Sequence, residues 1–218
     1  PDPTETSATI GGMIACNASG AHTFYYGPTR RYVRSIRAVL PDGRIIKLKR
    51  GEAFAEADGS FTLRREKGDD IRGHVPLYPQ PATKNAAGYY SGPGMDLIDL
   101  FIGSEGTLAA ITEAEVYLVP TPELQFNAMF FTSSEEAAIE LTEKLRALKG
   151  VELSAIEYFD PGSLAMLRSR RNKMKAASMV PPGVPTEPEA AALYVDVRST
   201  KSKAGEAAAI LKDAASSL

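Results

Sequence analysis

Apolar residues fall into short alternating or continuous runs in the first half of the chain and into helix-spaced sets in the second. Residues 33–40 and 44–49 predict two strands, because Asp42-Gly43 between β-rich runs is a hairpin signal. Residues 60–65 predict a third strand of the same meander. Residues 66–95 carry no period, and Pro76, Pro79, Pro81 and Pro93 interrupt them, which suits a functional or mobile loop. Residues 96–102 predict a short helix stopped by Gly103, followed by a tight turn over 104–107 and a buried strand over 108–119.

Pro120-Thr121-Pro122 marks a domain boundary, so residues 1–120 and 121–218 are read separately. In the second part, strands are expected at 126–131, 153–159 and 192–197. Helices are expected from a capping box at Ser133 and Glu136 to about residue 149, from 161 to 170 and from 201 to 215. Ala138, Leu141, Leu145 and Leu148 share one face of the first helix, and Ala204, Ala207, Ala208 and Leu211 face inward on the last. Residues 172–189, with four prolines, are an excursion. This β-α-β-α-β-α order predicts an α+β layer with helices on one sheet face.

Charge and composition narrow the function. A formal net charge of −2 argues against a nucleic-acid surface. The one basic cluster, Arg168, Arg170, Arg171, Lys173 and Lys175, reads as a solvated loop. A single cysteine leaves no internal disulfide framework and points to a reducing compartment. Two histidines, His22 and His74, with that one cysteine make no metal site, so no metal is expected.

Candidate chemistry lies in two segments. Residues 1–20 are dominated by small side chains, which let a backbone approach a bulky ligand; a glycine-rich turn region is the plainer alternative. Gly103-Ser104-Glu105-Gly106-Thr107 can turn successive amides into an anion nest, with Ser104 and Thr107 adding hydroxyl donors, or can serve as a helix cap and tight entry into a strand. Glu105 has no partner that would make it a general base, and neither histidine sits in a catalytic pattern. Cys16 reads as a small buried hydrophobe. Tyr25, Tyr26, Tyr89 and Tyr90 either line a pocket or pack at sheet edges, and Lys84-Asn85 could meet an acidic substrate.

Taken in order, Asp2-Pro3-Thr4, Thr9 through Gly20, Tyr26-Gly27-Pro28-Thr29-Arg30, Leu40-Pro41-Asp42-Gly43 and Phe101 through Leu108 resemble the FAD-linked oxidases. The branch they resemble is the D-lactate dehydrogenase and glycolate oxidase group, related to vanillyl-alcohol oxidase. The resemblance is strong to about residue 120 and weaker beyond it. It departs from the family at Ala109, where glycine is usual, and at Cys16, where threonine is common.

The resemblance implies an α+β fold. Residues 1–120 would be the second subdomain of the FAD-binding domain, with an antiparallel sheet and helices. Residues 121–218 would be part of a ferredoxin-like α+β cap domain. It further implies a piece that lacks the N-terminal FAD subdomain and the C-terminal end. Asp2, Pro3, Thr4, Thr9, Gly11 and Gly12 would approach flavin and pyrophosphate, with Ile14, Ala15 and Asn17 adding contacts, and Glu105, Gly106, Thr107 and Ile111 would line the nucleotide. FAD would be the cofactor and a D-2-hydroxy acid the substrate, oxidised by hydride transfer to flavin, with no catalytic acid or base in these residues. An electron acceptor or partner subunit is implied, in the cytoplasm or peripherally on the inner membrane. Two alternatives stay open: a transferase of the alkylglycerone-phosphate synthase type, and a non-catalytic subunit that keeps the fold.

Overall fold

The computed structural model describes residues 6–65 and 68–216, so Asp2, Pro3 and Thr4 lie outside the described residues. The chain divides into two compact units, Pro1–Val119 and Pro120–Leu218.

The first unit is organised by a three-stranded antiparallel sheet in the order β2-β1-β5, from β1 (Val33–Val39), β2 (Ile45–Lys49) and β5 (Ala110–Val116). A five-residue connection, residues 40–44, joins β1 to β2. The Leu40 N–H closes it on the Arg44 carbonyl at 2.8 Å, Gly43 takes the left-handed conformation at φ 80°, and the Asp42 carboxylate accepts the Arg44 N–H at 3.0 Å. Alternation then directs Ile36, Ala38, Ile46 and Leu48 into a core shared with Ile14, Leu97, Ile98, Phe101 and Ile102. The sequence predicts a buried strand here, yet most residues of β5 are exposed; Ala109 just before it and Ile111 and Val116 near its two ends meet the core.

Three helical pieces precede β1, where the sequence suggested only a small-residue wall: α1 (Ile10–Ala15), α2 (Thr23–Tyr26) and a 3-10 turn at Thr29–Tyr32. A short helix α3 (Ile98–Phe101) precedes the turn at 103–107. The stretch read as irregular contains β4 (Ile71–His74), which pairs with β3 (Ser60–Leu63) as an antiparallel ribbon. Phe61 lies opposite Gly73, and a Cβ on Gly73 would come within 2.5 Å of the Phe61 ring. The ring occupies the space glycine leaves, a pairing that an apolar period does not reveal.

The second unit is a β6-β8-β7 antiparallel sheet of β6 (Leu124–Thr132), β7 (Glu152–Phe159) and β8 (Ala191–Ser199), with helices α4 (Glu135–Ala147), α5 (Pro161–Met174) and α6 (Ala204–Ser216). Leu141 and Leu145 of α4 and Leu211 of α6 pack on Leu193, Val195 and Val197 of β8. Leu164 of α5 packs with Val184, Ala190 and Ala192, and Ala192 points to the opposite face of β8. The helices therefore take both faces, not one, because β8 is central and buried on both sides. Ser134, not Ser133, caps α4 by accepting the Ala137 N–H, and Ala208 is exposed on α6 while Ala207 is buried. Helix α5 starts from an Asp160 cap with Pro161 in its first turn and runs four residues beyond the expected end, with Arg168 and Arg171 donating to the carbonyls of Pro185 and Val180. Among the described residues no helix is long and apolar enough to cross a membrane.

Candidate functional site

The small-residue segment builds one surface. Thr9 opens α1 by accepting the Gly12 N–H at 3.0 Å. The helix closes in a Schellman motif: the Asn17 N–H reaches the Ile14 carbonyl at 3.1 Å and the Ala18 N–H the Met13 carbonyl at 2.8 Å, with Asn17 left-handed at φ 45°. Of the helix's own residues only Ile14 is buried, so Ile10 and Gly12, with Cys16 after them, are uncovered. Cys16 is thus exposed rather than the buried hydrophobe expected, because the face carrying Ile14 takes the core and the other side stays open.

The second segment is stitched onto the end of that helix. Gly103 N–H donates to the Ile14 carbonyl at 3.0 Å and Glu105 N–H to the Ala15 carbonyl at 2.9 Å. Gly103, Glu105 and Gly106 all have positive φ, at 90°, 51° and 78°. The amides are not an open nest, however. Ser104 N–H bonds Phe101 O and Thr107 N–H bonds Ser104 O, which leaves Gly106 N–H as the one amide of the turn without a partner among the described residues. Nor are Ser104 and Thr107 free donors: their hydroxyls donate to the carbonyls of Phe101 and Ser104 at 2.9 and 2.6 Å.

The sequence candidates separate into two sets. Thr9, Gly11, Gly12, Ala15, Glu105, Gly106 and Thr107 lie along the uncovered side of α1 and the adjoining turn. At Gly11 and Gly106 an added Cβ would meet nothing within 4 Å. Ile14, Asn17 and Ile111 lie beneath that surface. Ile14 is fully buried, Ile111 packs on the same core, and the Asn17 side-chain oxygen is taken by the Arg30 N–H at 2.9 Å.

Sequence reasoning missed the ion network under this surface. Asp99, 8% exposed, receives Arg50 bidentately at 2.8 and 3.0 Å and Arg30 at 3.0 Å. Arg30 also donates to the carbonyls of Asp99 and Ile102 at 2.5 and 2.6 Å, and Arg50 to those of Val33 and Arg30 at 2.9 and 3.2 Å. Burial pulls the Arg30 pKa down against the pull of Asp99, whereas the hydrogen bonds to Asp99 raise that of Arg50. The network ties α3 and the start of the turn to the chain before β1. A carboxylate inside the apolar run Leu97-Ile98-Asp99-Leu100-Phe101-Ile102 was the available signal, since a buried charge needs cationic partners.

The profile of a family described as an FAD binding domain matches residues 1–49. A D-lactate dehydrogenase of Archaeoglobus fulgidus is 35% identical over 163 residues, covering 72% of this chain and 29% of that protein. The glycolate oxidase subunit GlcD of Bacillus subtilis is 32% identical over 168 residues, covering 77% and 28%. Over the matched residues the chain is similar to FAD-linked oxidases. It spans less than a third of the length of these curated relatives. A solved alkyldihydroxyacetonephosphate synthase matches with a TM-score of 0.56 and 17% identity over 96% of this chain and 32% of its own, a likeness of fold.

The cofactor is FAD. The residues present fit it: a strip of small side chains, two glycines open to space and the free Gly106 amide allow a large ligand to lie along the backbone.

Proposed function

We propose that this chain serves the FAD-dependent oxidation of a D-2-hydroxy acid of the lactate or glycolate kind. The observation that carries the reading is the joined surface of α1 and the turn at 103–107, held by the Gly103–Ile14 and Glu105–Ala15 hydrogen bonds. The names of relatives at 30–35% identity supply the substrate class. In this reading the first unit is the second subdomain of the FAD-binding domain and the second unit is part of the substrate-side cap.

Bound FAD would supply the hydride acceptor for the carbinol carbon. The chain's own part is to bind and orient. Thr9, Gly11, Gly12 and Ala15 would offer a low wall to the cofactor, with Asp2, Pro3 and Thr4 joining it by resemblance. Glu105, Gly106 and Thr107 would border the nucleotide through backbone edges, with Gly106 N–H the donor left for an acceptor atom. Ile14, Asn17 and Ile111 would act from beneath, by fixing the shape of that wall. The electrons would pass on to an acceptor or partner subunit, in the cytoplasm or at the inner-membrane surface.

The test is the visible spectrum of the protein incubated with FAD and freed of excess, before and after anaerobic addition of D-lactate or glycolate. Retained flavin that bleaches is the expected result. Retained flavin that stays oxidised with both acids would overturn the substrate class and turn attention to the transferase. Absence of retained flavin would overturn the cofactor role of this surface and favour a non-catalytic subunit.

A further inference from the structure

The Thr107 hydroxyl lies 2.6 Å from the Ser104 carbonyl and 2.6 Å from the Tyr89 hydroxyl. Threonine has one hydroxyl proton, and a carbonyl can only accept. The Thr107 proton is therefore committed to Ser104, and Tyr89 must be the donor to Thr107. That direction makes Tyr89 the outermost link of a chain running Tyr89 to Thr107 to Ser104, across the two ends of the turn.

Tyr89 is itself held from behind. Its backbone carbonyl accepts the Tyr78 hydroxyl, and its neighbour Tyr90 lies under the Arg30 guanidinium, 4.6 Å from the ring centroid. Further back on the same strap, Lys84 Nζ donates to the Gly20 carbonyl at 3.3 Å, and Gln80 donates to the Ser91 carbonyl at 3.1 Å. Residues 76–95 thus lie across both segments of the candidate surface, and Tyr89 is their side-chain bond to the turn. The turn needs such a bond. Three of its five residues have positive φ, two of those are glycine, and Gly106 has no side chain to hold it.

We propose that Tyr89 is a positioning residue for the cofactor surface: by donating to Thr107 it clasps the strap at 76–95 to the turn at 103–107 and fixes the turn in the form that receives FAD. The inference rests on the cofactor reading above. Tyr89 need not touch the cofactor; it acts through Thr107 and the Gly106 amide beside it. Tyr89 is 43% exposed and outside the core, so loss of the hydroxyl alone leaves the core untouched.

The experiment is an FAD titration, followed by flavin fluorescence, of the wild type, Tyr89→Phe, Thr107→Val and the double variant. It is paired with hydrogen exchange over residues 103–107 without FAD. Tyr89→Phe is expected to weaken FAD binding about fivefold. The double variant should be no weaker than the poorer single one, because both remove the same bond. Exchange at the turn should quicken while β1, β2 and β5 are unchanged. A purely structural role would lower the thermal midpoint and leave the affinity and its coupling to Thr107 alone, which overturns the inference. Wild-type uptake of FAD with an unchanged Tyr89→Phe, or additive losses in the double variant, would overturn it while sparing the cofactor reading. A wild type that takes up no FAD would overturn that reading and the inference with it.

Discussion

The two units hold themselves together by different means. In Pro120–Leu218, alternation on β8 and helix-spaced leucines on α4 and α6 make an aliphatic core in which each side chain is placed by its own element's period. In Pro1–Val119, an aliphatic core is also present, but the candidate surface is positioned by polar links over long sequence distances: Arg30 and Arg50 on Asp99, Asn17 on Arg30, Gly103 on Ile14. The difference teaches where a ligand surface can sit. Helix α1, with one buried residue, is held by backbone bonds from Gly103 and Glu105, charge-assisted bonds to Asp99 hold α3 beneath the turn, and the small side chains of α1 stay outside.

Breaking the network is the severest test of this contrast. Asp99→Ala leaves two partly buried guanidinium groups without their carboxylate and is expected to destabilise the first unit by about 4 kcal/mol. Segment-resolved hydrogen exchange should show protection lost in β1 and α3 but retained in β8. The reciprocal change, Leu193→Ala, removes a residue 1% exposed from the second core and should cost about 3 kcal/mol, lost from β6, β7 and β8 alone. Loss of protection in both units from either change would show that the contrast is false.

Two glycines sharpen it further. Gly103→Ala places a Cβ 3.2 Å from the Asn17 Cβ at φ 90° and should cost about 2 kcal/mol in denaturant unfolding. Gly106→Ala keeps the unfavourable φ but meets open space, so about 1 kcal/mol is expected. Equal costs would mean that the close approach of the turn to Asn17 carries no stability.

The smallest effect lies on the rim of the second unit. The Tyr158 hydroxyl donates to the Glu135 carboxylate, which raises its pKa to about 12. A group whose folded pKa lies above its unfolded value near 10 contributes stability that is complete below pH 10 and lost as pH rises through 12. Ultraviolet titration should find this tyrosine ionising last, and Glu135→Gln should return it toward 10; the effect on stability is slight because both groups are exposed.

Legibility followed the same division. Strands β6, β7 and β8 and helices α4 and α6 could be read from the spacing of Leu141, Leu145 and Leu211 and from the runs at 126–131 and 192–197. The face that α5 covers could not, because its burial rests on Leu164 against Val184, from an excursion without a period. The hairpin at Asp42-Gly43 was legible from its turn chemistry. Helix α1 was not, since its apolar face is one residue wide at Ile14. Arg30 and Asp99 were visible as residues but not as partners, 69 positions apart.

The sequence by itself determined the element order of the second unit, the Asp42-Gly43 hairpin and the likeness to FAD-linked oxidases, because those depend on hydrophobic period, local turn chemistry and ordered motifs. The tertiary structure decided which members of those motifs face out and which hold the surface from below. It turned the amides of Gly103 and Glu105 onto α1, spent the hydroxyls of Ser104 and Thr107 on carbonyls and buried Asn17. The physical reason is that each buried polar group must find a partner, and which partner is in reach is known only when distant segments meet.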